Sequence, residues 1–158
     1  MAEVIKLPNV KKMFIPPATQ NGIAYGVFDI DLAAADARVV AGEMQSRFLL
    51  DIFADPSADL YSFLAAEYLW LTTREKVKVD KKNPIRQQFK GVCHATNYLG
   101  KPKTIAHMNN LSVEAVLKVQ KFYFNLVPEL RLWHERIKHL VDNEEAVTNV
   151  WGAQSVLS

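Results

Sequence analysis

The chain has 158 residues, 49% of them hydrophobic, and a formal net charge of +2 from 19 basic and 17 acidic side chains. That length and apolar content suit one domain with its own core, and so balanced a charge excludes arguing a nucleic-acid partner from composition alone. The one cysteine, Cys93, has no internal partner for a disulfide, so a reducing compartment is expected.

The N-terminus, MAEVIKLPNVKK, has an early acid and no apolar run, and it reads as an extended polar arm over 1–11 rather than a signal peptide. No run of about 18 apolar residues occurs, so no membrane partner is expected. KMFIPP (12–17) reads as a short strand ended by Pro16 and Pro17. Asn21-Gly22 is a turn signal, and IAYGVFDID (23–31) is β-rich, so the two segments can pair as a hairpin. After Asp31 the composition turns to alanine, the best helix former, in LAAADARVVAGEMQ. A second helix is expected over 46–55, stopped by Asp55-Pro56, and a third over 58–71. TTREKVKVDKK (72–82) carries five lysines or arginines and reads as an exposed loop, one that can also touch a nucleic-acid backbone. Asn83 and Pro84 form a helix start, cap followed by first-turn proline, and Gly100 a stop. A short helix is expected near TIAHMNN. Ser112 caps the next helix, Pro128 opens another, and AVTNVWGAQSVLS reads as a strand entering a turn at Gly152. The element order predicts an α+β fold: a small antiparallel hairpin, then mostly helices.

Two stretches carry candidate chemistry. In RQQFKGVCHATNYLG (86–100), Arg86, Lys90, His94 and Tyr98 recur every four residues and make one gently drifting stripe on a helix. Two cations one turn apart can grip a polyanion, and two rings beyond them can meet a sugar or base. The same stripe also reads as an ordinary helix with a solvated basic end and a half-buried aromatic end. In DIDLAAADAR, Asp29 and Asp31 share a strand face, and Asp31 at the strand end suits Mg²⁺, which takes one or two carboxylates plus phosphate oxygens. Asp31 reads equally as a helix cap. Asp36 lies about 140° around the helix from it and is not expected as a second ligand.

Together these stretches resemble the palm-to-fingers section of a family A DNA polymerase, the family of bacterial DNA polymerase I, and most of all its phage-encoded branch. DLAAADARVVAGE resembles the first motif of that family, and RQQFKGVCHATNYLG resembles its fingers helix, roughly R-x3-K-x7-Y-G. The likeness runs over residues 8 to 152 and includes LLDIFADPSADLYSFLAAEYL, the helices after the fingers, and VTNVWG. It implies partial palm and fingers over 12–152, with a divergent tail over 153–158. It also implies an α+β fold of mostly helical fingers on an antiparallel palm hairpin, and the cytoplasm of a bacterial or phage-infected cell.

Residue by residue, the resemblance implies Asp31 as a catalytic, Mg²⁺-binding aspartate. It implies Asp36 under the sugar as a gate against ribose, one methylene shorter than the family's glutamate. Arg86 and Lys90 would hold the triphosphate of a dNTP, with Lys90 the acid for departing pyrophosphate. His94 would stand near the sugar, and Tyr98 would stack at the base of the nascent pair. The implied reaction is template-directed nucleotidyl transfer to the 3′-hydroxyl of a DNA primer on its template. Several features depart from the family pattern. Tyr61 stands where many members have a phosphate-contacting histidine, Gly91 and the extra Leu99 are expected to loosen the helix, and none of the four histidines is followed by Asp-Glu. The expectation is therefore activity only with a second polypeptide that carries the rest of the palm, and inactivity of the isolated chain. The other reading is a non-catalytic module that binds dNTP or DNA. The remaining histidines, His107, His134 and His139, are expected at the surface. Phe122, Tyr123, Phe124, Leu132 and Trp133 are expected in the core, and Cys93 is expected as a packing residue.

Overall fold

Helix signals dominate from Ala34 onward, and the computed structural model of the chain describes residues 34–143, 147–148 and 154–155. Among them lie seven helices: α1 (Ala35–Met44), α2 (Arg47–Ala54), α3 (Leu60–Thr73), α4 (Pro84–Asn97), α5 (Pro102–Asn109), α6 (Val113–Leu126) and α7 (Glu129–Asp142). The strands β1 (Val147–Thr148) and β2 (Gln154–Ser155) add one short antiparallel pair, with Val147 opposite Ser155.

The expected α+β class is therefore corrected: the described residues form a helical assembly, and the two-residue strands supply no sheet for helices to pack on. The hairpin over 12–17 and 23–31, with Asp29 and Asp31, lies outside the described residues. The reason for the helical outcome is burial. Apolar residues at helical spacing on α1 to α7 close on one another around Leu49, Leu64, Val92, Ile105, Val116 and Leu130.

Local signals set most boundaries. The Asn83 side chain accepts from Ile85 N at 3.0 Å, and Pro84 opens α4 with no amide to satisfy. The Ser112 hydroxyl accepts from Ala115 N at 3.1 Å. At Asp55 the carboxylate accepts from both the amide and the hydroxyl of Ser57, a local turn that replaces the next helical bond.

Helix α4 lies against α1, α3, α5 and α6. A triangle of rings joins three of these helices: Tyr68 of α3 stands 5.4 Å from Phe89 of α4 and 5.3 Å from Phe122 of α6. A Cβ at Gly91 would meet the side-chain amide of Asn109 of α5, whose end would have to turn aside.

The C-terminal end of α4 is held by uncharged groups. Gln120 Nε2 donates to Thr96 Oγ1 at 3.1 Å, and the Tyr123 hydroxyl donates to Asn97 Oδ1 at 3.1 Å. His134 Nε2 donates to the Asn97 carbonyl at 3.1 Å. His134, expected at the surface, is thus buried, because its place one turn after Leu130 puts it on the inner face of α7. Burial, ahead of its other neighbours, pulls its pKa below the ordinary histidine value. Leu132, expected in the core, lies on the opposite side of α7 and is exposed. Among the described residues no helix is long and apolar enough to cross a membrane.

Candidate functional site

The stripe on α4 starts at Arg86, and its first member is already engaged. Arg86 Nε donates to Asp59 Oδ1 at 2.8 Å, and Nη2 donates to Oδ2 at 2.7 Å. This two-pronged pair is largely withdrawn from water, with side chains 12% and 19% exposed. Asp59 is also the cap of α3, since its Oδ1 accepts from Ser62 N at 2.8 Å. The Arg86 hydrogen bonds, before any other cause, hold the Asp59 carboxyl well below the usual carboxylate range. The guanidinium lies 5.9 Å from the ring centroid of Tyr61, which is buried beneath it. Burial pushes the Tyr61 hydroxyl up to about 12.

Lys90 stands exposed one turn further on, and among the described residues it has no ion-pair partner. Beyond it the two sequence motifs meet. Asp36 in the first turn of α1 places Oδ2 3.6 Å from His94 Nδ1, an ion-pair distance that is too long for a good hydrogen bond. His94 and Tyr98 pack edge to face with ring centroids 5.2 Å apart. Partial burial, and after it the nearby charge of Asp36, raise the Tyr98 pKa. Tyr98 is the residue after α4, 60% exposed, and the next residue, Leu99, takes a left-handed φ of 58°.

The structure thus groups Asp36, His94 and Tyr98 and sets Lys90 on the same face. It holds Arg86 apart, against Asp59. Asp31 lies outside the described residues. Among the described residues no three of His, Cys, Asp and Glu stand close enough together to hold a metal ion. Asp59 is the functional neighbour that periodicity missed, because 27 residues separate it from Arg86. Its place just before an apolar helical run was a legible cap signal.

The cluster offers an exposed ammonium, an imidazole close to a carboxylate, and a ring open to stacking. Such a set can bind a phosphorylated, ring-bearing ligand. No protein-family model matches the chain, and no curated protein matches it.

Proposed function

We propose that the chain binds a deoxynucleoside triphosphate on the outer face of α4 and α1, as the nucleotide-handling part of a DNA-directed DNA polymerase. The observation that supports this most is the meeting of Asp36 with His94 and Tyr98, which brings together the two stretches that each resemble a family A polymerase motif. In this reading Lys90 binds the triphosphate as a point charge and gives a proton to departing pyrophosphate. His94, beside Asp36, faces the sugar, and Tyr98 stacks below the base. Arg86 joins the triphosphate only after leaving Asp59. Mg²⁺ enters the proposal through Asp31 alone, and the primer-template DNA and a second polypeptide with the remaining palm carboxylate are its proposed partners. The proposed compartment is the cytoplasm of a bacterial or phage-infected cell.

Titrating a fluorescent dNTP against the full chain tests the binding step. Lys90→Ala is expected to raise Kd at least about tenfold, the loss of one charge-assisted hydrogen bond worth roughly 1.5–3 kcal/mol. Equal affinity in the two proteins would sink the proposal. The second reading, a binding module without chemistry, is favoured by the engagement of Arg86 with Asp59. It is the outcome if dNTP binds as expected and no primer is extended in Mg²⁺ even with the rest of a palm supplied.

A further inference from the structure

A second surface, apart from the α4 stripe, lies between α3 and the segment that follows it. Phe63, Ala66, Glu67 and Trp70 fall on one face of α3 at helical spacing, and Lys76 and Val77 face them across a groove of about 410 Å³. The volume is within the range of small-ligand sites and has room for one nucleotide. The segment is pinned at intervals along its length. Thr73 Oγ1 accepts from Glu75 N at 3.2 Å, Val79 sinks into the core, and Asp80 Oδ1 accepts from Lys82 N at 2.8 Å. Gln87 Nε2 of α4 donates to the Lys81 carbonyl at 3.1 Å.

The charge of this segment selects the occupant. Residues 74–82 carry Arg74, Lys76, Lys78, Lys81 and Lys82 against Glu75 and Asp80. An apolar peptide or a second copy of the chain gains little from such a cationic border, whereas a polyanion with flat apolar faces meets both features. Trp70 remains 37% exposed, and the Arg74 guanidinium already lies 5.5 Å from its ring centroid, the arrangement in which a base can stack alongside an arginine plane. Glu67 places a carboxylate on the helix side, where it can accept from a base amino group but repels phosphate. A nucleic-acid backbone in the groove would therefore run along the lysine side.

We infer that the groove between α3 and residues 74–79 binds single-stranded nucleic acid, with a base on Trp70 and phosphates along Lys76 and Lys78. This inference does not depend on the dNTP reading of α4.

The test is fluorescence anisotropy of a labelled twelve-nucleotide oligo(dT) with the full chain across a salt series. Trp70→Ala is expected to weaken binding at least about fivefold, the loss of one stacked base, while Trp70→Phe retains most of it. Lys76→Gln with Lys78→Gln is expected to flatten the slope of log affinity against log salt by about 0.7 for each phosphate no longer neutralised. The dNTP affinity of Trp70→Ala is expected to stay at the wild-type value, so this inference and the α4 proposal fail separately. Unchanged oligonucleotide affinity in Trp70→Ala overturns the inference. So does an equal loss in Lys90→Ala, which would move the DNA to α4. Concentration-dependent dimerisation abolished by Trp70→Ala, without oligonucleotide binding, would assign the groove to a second copy instead.

Discussion

Arg86→Ala is expected to destabilise the fold by about 2–4 kcal/mol, because it strands a largely buried carboxylate whose two charged hydrogen bonds came from that side chain. Urea denaturation at pH 7 reads the loss directly. The pH dependence separates this cause from a simple loss of side-chain packing. Asp59 has a folded pKa depressed below its unfolded value near 3.9, so its ionised form contributes stability above that value. The contribution fades as pH falls below about 4 and through the depressed folded pKa. The gap between wild type and Arg86→Ala is therefore expected to be full at pH 7 and to narrow on acidification. A gap that stays constant down to pH 3 would mean that packing around the missing side chain, not the carboxylate, sets the effect. Asp59→Asn offers the reciprocal measurement. The amide oxygen still accepts from Ser62 N, so α3 keeps its cap while Arg86 loses its counter-charge. Under the dNTP proposal this variant binds triphosphate more tightly.

Gly100→Ala is expected to cost about 2–3 kcal/mol, since the added methyl has no room and the atom it meets cannot swing aside. A Cβ at Gly100 would stand 2.6 Å from the Ala95 carbonyl oxygen and 3.0 Å from Ile105 Cδ1. That same carbonyl accepts the Gly100 amide at 2.8 Å, and the Gly100 carbonyl accepts from Gln120 Nε2 at 3.4 Å. Moving the turn away from the methyl therefore strains the closure of α4 and its tie to α6 together. A lowered urea midpoint with an unchanged slope is the expected signature, because stability falls and the native surface does not. An unchanged midpoint would show that the turn relaxes freely.

Why some features were legible in the sequence and others were not follows from their range. The start of α4 was legible because Asn83 and Pro84 act on their own next residues, and the stop of α2 because Pro56 acts on Asp55. Ser112 marked α6 in the same way. The stripe from Arg86 to Tyr98 was legible because four-residue spacing on a helix is geometry. Which stripe members meet solvent and which meet another helix was not legible, since Asp59 reaches Arg86 through the packing of α3 on α4. His134 and Leu132 were placed on the wrong sides of α7 for a related reason. Residue type favours a polar surface and an apolar interior, but the helix phase set by Leu130 decided both positions. The α+β expectation failed because it gave weight to a hairpin that lies outside the described residues, while the described helices carry the core among themselves.

The burial of Cys93 has a practical side. It is the chain's one cysteine, it sits on the inner side of α4, and burial pushes its thiol well above the ordinary value. A thiolate reacts and a buried thiol does not, so an alkylating reagent can modify it only while α4 is lifted away from its neighbours. The protein therefore carries its own clock. The rate of Cys93 labelling reports openings of the helix that bears Lys90 and His94, and a ligand that clamps that helix to its neighbours would slow it without any cysteine being introduced.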